Sequence, residues 1–187
     1  MQDNAHLKKI ITLPNILSLV RLLLIPVFCV VYVSMGKYKP AAAILLLSGL
    51  TDVVDGFVAR RFNMVSDLGK VLDPAADKLT QLAVLACLIS RFKRMSLPCV
   101  MLAAKELISG ISSALAVKKT GVVLSAEWHG KLTTMLLYGM MITHILWCDI
   151  PAVVSDMMIS LCVGAMVLSF VLYTLRNIRM IRGRYSA

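Results

Sequence analysis

Thr51-Asp52-Val53-Val54-Asp55-Gly56-Phe57-Val58-Ala59-Arg60, followed after a short gap by Asp67-Leu68-Gly69-Lys70-Val71-Leu72-Asp73-Pro74-Ala75-Ala76-Asp77-Lys78, is the stretch on which the reading of this chain turns. The chain holds only ten acidic residues, and four of them, Asp52, Asp55, Asp73 and Asp77, lie inside otherwise apolar helical sequence. Asp52 and Asp55 are three apart and Asp73 and Asp77 four apart, so each pair shares one face of a helix. Two helices joined by a short link would bring both pairs to one edge of a bundle. Four ionised carboxylates in one small, poorly solvated volume repel one another and resist burial. Hard divalent cations with oxygen ligands offset that cost, and two such ions make a clamp for phosphoryl oxygens.

The surroundings explain why such a site would sit at a membrane edge. The chain of 187 residues is 59% hydrophobic and 16% charged, with mean hydropathy +0.82. Soluble domains carry about 25% charged residues, so this composition points to a membrane protein of one domain, residues 1–187. Six apolar stretches approach the roughly 20 residues a spanning helix needs. They run from Leu13 to Val33, Ala41 to Arg60, Gly69 to Ile89, Leu97 to Val117, Leu132 to Cys148 and Ala152 to Tyr173. Gly36, Pro40, the Arg91–Pro98 segment, the Lys118–His129 segment and Asp149-Ile150-Pro151 separate them, and Pro26 is expected to kink the first. The fold class is therefore all-α, a polytopic membrane protein with six transmembrane helices.

Charge orients the bundle. Lys8, Lys9, Arg60, Arg61, Lys70, Lys118, Lys119, Lys131, Arg176, Arg179, Arg182 and Arg184 fall on the side of the termini. Lys37, Lys39, Arg91, Lys93 and Arg94 fall on the other. The positive-inside rule then puts both termini in the cytosol, with residues 1–12 as a cytosolic or interfacial segment that lacks a signal-peptide pattern. The net charge of +10 is of the kind that also serves nucleic acid, yet aromatics are 6% and no basic-aromatic platform occurs. Membrane lipids are the expected neighbours, and no nucleic-acid partner is expected. Cys29, Cys87, Cys99, Cys148 and Cys162 form no metal or disulfide pattern and read as small packing residues. His6, His129 and His144 show no ligand spacing either.

The ordered string Asp52, Asp55, Gly56, Ala59, Arg60, Gly69, Asp73, Asp77 resembles the signature of the CDP-alcohol phosphatidyltransferase family. That resemblance implies six spanning helices, a homodimer, and two divalent cations, Mg2+ or Mn2+, on Asp52, Asp55, Asp73 and Asp77. It implies Asp77 as general base, and Gly56, Ala59, Arg60 and Gly69 as the pocket for the CDP-linked lipid, CDP-diacylglycerol. Thr12-Leu13-Pro14-Asn15 through Arg21, and Leu72-Asp73-Pro74-Ala75-Ala76-Asp77-Lys78, resemble the branch whose acceptor is glycerol 3-phosphate. That branch carries Arg-Glu where this chain has Lys105-Glu106, and Gly-Lys-x-Lys-Thr where it has Gly130-Lys131-Leu132-Thr133-Thr134. Lys105, Lys131 and Arg21 are the candidates for the acceptor's phosphate. Two rivals remain: another alcohol acceptor, as in a CMP-forming cardiolipin synthase, and a small cation transporter using intramembrane carboxylates. A bacterial plasma membrane or the inner mitochondrial membrane is the expected location, with the active site facing the cytosol.

Overall fold

A computed structural model describes residues 13–61, 69–120 and 128–181, all helical apart from short connections. Among the described residues six α-helices follow one another: α1 (Leu13–Cys29), α2 (Tyr38–Arg61), α3 (Gly69–Ile89), α4 (Ser96–Thr120), α5 (Trp128–Leu146) and α6 (Ala152–Ile181). They match the six apolar stretches in order, with ends moved by a few residues. The chain divides into two compact units, one ending at Arg91 and the other starting at Phe92.

Among the described residues three segments are long and apolar enough to cross a membrane: Asn15–Ser34, Lys93–Ser112 and Ala152–Arg176. The helices outside that set are interrupted by charged and titratable residues. The second half of α2 holds Asp52 and Asp55, α3 opens with Asp73, Asp77 and Lys78, and α5 includes His129, Lys131 and His144. Large apolar side chains such as Leu23, Val100, Leu107, Val153 and Leu161 face outward, the pattern of helices bathed in lipid rather than water.

In the first unit α1 packs against both α2 and α3. Its inward face reads Asn15, Ser18, Arg21, Phe28, Tyr32, all buried, the spacing of one helical face. The inward face of α3 is Ala76, Thr80, Gln81, Val84, Leu85, Leu88. Both faces are polar at their N-terminal ends and apolar at their C-terminal ends. Ser18 meets Asp73 at one end and the Cys29 and Cys87 thiols lie 3.4 Å apart toward the other, so α1 and α3 run parallel. At the far end Phe28 stacks on Tyr32, Tyr32 meets Tyr38 at the start of α2, and the Arg91 guanidinium lies 4.6 Å over Tyr38. The helix α2 therefore runs back antiparallel. Ala41 and Ala42 on its buried face let the backbones approach.

The chain passes helically through Pro26, and the irregularity expected there comes later. Residues Val30–Ser34 form a π-helix, with Met35 N–H donating to Val30 O at 3.0 Å. Gly36 then adopts φ 61°, the left-handed conformation that closes helices and that glycine adopts without strain. Lys37 N–H reaches back to Val31 O.

In the second unit α6 packs against α4 and α5 over Leu102, Leu137, Met140, Met141, Ile145, Ile159, Cys162 and Met166. Side-chain hydrogen bonds pin the antiparallel α5–α6 pair at both ends. His144 Nδ1 meets Met140 O at 2.8 Å and its Nε2 meets the Ser155 hydroxyl at 2.9 Å. A carbonyl only accepts, so Nδ1 carries the hydrogen and the neutral ring takes Ser155's. At the opposite end His129 Nδ1 lies 3.1 Å from the Ser169 hydroxyl, and Thr133 Oγ1 reaches both His129 O and Ala165 O. Arg94 pairs with Asp156 where α6 begins.

Gly130 is tied to this packing. A Cβ there would lie 2.5 Å from the Tyr173 hydroxyl and 3.4 Å from its ring. Retreat of Tyr173 would disturb its edge-on contact with His129 at 4.6 Å and its place beneath Arg176 at 4.9 Å. Gly130→Ala should therefore lower the melting temperature in detergent, because overpacking costs about 1–3 kcal/mol against a helix-propensity gain of roughly 1 kcal/mol. In a Tyr173→Phe background only ring atoms at ordinary contact distance remain, and the same substitution should become neutral or stabilising.

Candidate active site

Helix α3 supplies the two acidic residues whose side chains the structure describes. Asp73 and Asp77 stand one turn apart in its first two turns, both half-buried. The helix opens at Gly69, which is buried one turn before Asp73, and continues through Pro74. As the sixth residue of the helix, Pro74 lies beyond the four free N-terminal amides and removes the hydrogen bond to the carbonyl of residue 70, which loosens the helix just where Asp73 stands.

Each carboxylate is held by a buried polar side chain. The Ser18 hydroxyl of α1 donates to Asp73 Oδ1, and Ser18 is fully buried. The Gln81 side-chain amide donates to Asp77 Oδ2 at 2.9 Å, and Gln81 is fully buried as well. Lys78 Nζ lies 3.4 Å from the same Asp77 oxygen and 3.5 Å from Gln81 Oε1. Charge-assisted bonds of this kind fix the plane of a carboxylate. Two oriented carboxylates with hard oxygen donors one turn apart suit a divalent cation of the magnesium or manganese type. Among the described residues no group of three or more His, Cys, Asp or Glu gathers.

The partners expected from α2 occupy its last third, on the helical backbone that ends at Arg61. The side chains of Asp52, Asp55, Gly56, Ala59 and Arg60 lie outside the described residues. Thr51, just before them, caps its hydroxyl on Ser48 O at 2.7 Å. Ser48 and Thr80, each a turn from one of the acidic pairs, line an apolar crevice together with Leu24, Phe28, Leu45 and Val84. It measures about 230 Å3 with its open mouth.

The three acceptor candidates differ in setting. Arg21 is 1% exposed on the inward face of α1, one turn from Ser18. Lys105 is largely buried on α4, with Nζ 3.0 Å from Glu106 Oε1; the two long side chains bond although neighbouring positions do not share a helix face. Lys131 is exposed near the start of α5, beside the cluster of His129, Ser169 and Tyr173.

Sequence reasoning missed Ser18 and Gln81 as partners of the acidic residues. Signals were present: Gln81 is four residues after Asp77 in an otherwise apolar run, and Asn15, Ser18 and Arg21 recur at three-residue spacing in a very apolar helix.

Comparison with known proteins agrees with this geometry. The family model for CDP-alcohol phosphatidyltransferase matches residues 11–178. A Rickettsia typhi protein named CDP-diacylglycerol--glycerol-3-phosphate 3-phosphatidyltransferase is 36% identical over 127 residues, 66% of this chain and 70% of that protein. Its Rickettsia bellii counterpart is 37% identical over 116 residues, 60% of this chain and 64% of the relative. A Mycobacterium tuberculosis protein named putative cardiolipin synthase is 45% identical over 76 residues, 41% of this chain and 36% of that protein. With the family match spanning α1 through most of α6 and the acidic residues of α3 in place, this chain belongs to the CDP-alcohol phosphatidyltransferase family.

Proposed function

We propose that the chain transfers the phosphatidyl group of CDP-diacylglycerol to glycerol 3-phosphate, giving phosphatidylglycerophosphate and CMP. The observation that carries this reading is the Asp73–Asp77 pair, oriented by Ser18 and Gln81, in a chain whose Rickettsia relatives bear that activity in their names. It acts as a single domain of six spans with both termini in the cytosol, as a homodimer in a bacterial plasma membrane. Its active site opens to the cytosol.

Asp52, Asp55, Asp73 and Asp77 would hold two divalent cations, Mg2+ or Mn2+. When bound, these supply Lewis-acid polarisation of the diphosphate and charge neutralisation for departing CMP. The remaining work falls to the chain's own groups. Gly56, Ala59 and Gly69 leave room for the CDP moiety, and Arg60 pairs with its phosphates. Lys105, Lys131 and Arg21 hold the phosphate of glycerol 3-phosphate and so bring its hydroxyl into line. Asp77 accepts the proton of that hydroxyl as its oxygen bonds to the phosphatidyl phosphorus, and the bond to the CMP oxygen breaks. Lys78, 3.4 Å from Asp77, stands beside that carboxylate as its neighbouring cation.

One observation favours a second acceptor. The putative cardiolipin synthase match has the higher identity, 45% over its 76 residues. Lys105 also stands where the glycerol 3-phosphate branch carries arginine, so the bidentate grip on a phosphate is missing. In that reading a lipid alcohol, phosphatidylglycerol, replaces glycerol 3-phosphate.

An acceptor screen with purified protein and CDP-diacylglycerol decides between them. CMP should appear with glycerol 3-phosphate and not with phosphatidylglycerol; the reverse pattern overturns the assignment. Chelation should abolish CMP release, and added Mg2+ or Mn2+ should restore it. Asp77→Asn should lower kcat by about 10²–10⁴-fold, the usual worth of a positioned base. Lys105→Met should raise KM for glycerol 3-phosphate while leaving KM for CDP-diacylglycerol unchanged; equal changes in both would remove Lys105 from the acceptor site.

A further inference from the structure

Asp77 is bonded from its own helix. Its Oδ2 atom takes a hydrogen bond from Gln81 Nε2 at 2.9 Å, with Lys78 Nζ 3.4 Å away. Lys78 also reaches Gln81 Oε1 at 3.5 Å. We propose that Gln81 is a positioning residue for Asp77, setting the plane in which that carboxylate meets the attacking hydroxyl. This rests on the reading of Asp77 as the base in the proposed reaction.

The geometry leaves the amide one orientation. Turning it over would aim its NH2 at the Lys78 ammonium and its oxygen at the Asp77 carboxylate, two repulsive contacts in place of two attractive ones. Burial makes the choice matter more. Gln81 is fully buried, where a polar group without its partners is costly, so the amide is committed to this arrangement. Asp77 alone could rotate about χ2, a broad torsion for a carboxylate. Tied to an amide that cannot turn, it becomes a base with a fixed direction. The four-residue step from Asp77 to Gln81 keeps the pair on one face of α3. The same helix therefore carries both the base and the group that aims it, independent of how neighbouring helices shift. Supporting groups of this kind are typically worth 10–100-fold in activity or metal affinity.

The test uses the full-length protein in detergent, with Gln81→Met, which keeps length and apolar bulk, and Gln81→Glu, which keeps shape and removes the donor. CMP release, KM for CDP-diacylglycerol, melting temperature and Mn2+ binding by EPR without substrate are compared with the unaltered chain. The expected result is a kcat about 10–100-fold lower with KM and melting temperature unchanged, and Mn2+ binding weakened. Adding Gln81→Met to Asp77→Asn should cost nothing further, since the residue acts only through Asp77. The proposal is overturned if both variants keep kcat and Mn2+ affinity within twofold. It is equally overturned if the losses multiply in the Asp77→Asn background, or if both variants lose the fold together with activity, which assigns Gln81 to packing. An Asp77→Asn protein with full activity sinks the base reading itself. An impaired Asp77→Asn beside an unimpaired Gln81→Met sinks only the positioning role.

Discussion

A carboxylate set into an apolar helix must find donors before the helix can pack, and much of the first unit is arranged around that need. Asp73 takes its bond from Ser18 on α1 and Asp77 takes its bond from Gln81 on α3. Both donors are fully buried while the carboxylates are half-buried, so each bond is shielded from water on the donor's side. Their gain is the cost avoided when charge and dipole would otherwise face hydrocarbon alone. The parallel alignment of α1 and α3 follows, because Ser18 reaches Asp73 only when the two N-terminal ends lie together. The antiparallel α2 then returns its own acidic stretch to the same end.

The interior of that unit is graded in consequence. One end holds Asn15, Ser18, Arg21, Thr80 and Gln81; the other holds Phe28, Tyr32, Leu85 and Leu88. The aromatic end is tight, with stacked and edge-on rings closed by Arg91 over Tyr38. A rigid far end and a hydrogen-bonded near end suit an enzyme that must hold reacting groups still while a lipid substrate enters from the side. The second unit uses neutral polar contacts instead. His144 with Ser155, and His129 with Ser169, lock α5 to α6 at two heights, each worth on the order of 1 kcal/mol in a membrane bundle.

The helices were legible in the sequence because apolar length and breakers are local properties. Gly36 and the Asp149–Pro151 turn fall between helices as expected, whereas Pro40 and Pro98, expected as separators, lie in the first turns of α2 and α4, where proline is tolerated because those amides lack an intrahelical acceptor. The acidic residues of α3 were legible because carboxylates are rare in such runs. What local pattern did not reveal was pairing. Ser18 is an ordinary small polar residue until α3 brings Asp73 against it, and Gly130 looks like a flexible spot until Tyr173 occupies the space beside it. Pro26 lies inside α1 rather than at its end, as expected, and the widened turn forms at Val30–Ser34, where the helix meets its closing glycine. Cysteines read as packing residues stay free thiols throughout.

Arg21, a third of the way along the apolar segment from Asn15 to Ser34, bears on how the chain enters the bilayer. A central arginine costs roughly 2.5–3.5 kcal/mol on the translocon scale, against −0.3 to −0.6 for each leucine, isoleucine or valine. The many leucines and valines around it outweigh that penalty, so the nascent helix can partition into lipid by itself. It does so holding a cation that is comfortable only once α2 and α3 arrive and enclose it. Translation thus presents this arginine to lipid before the two helices that pack against α1 exist.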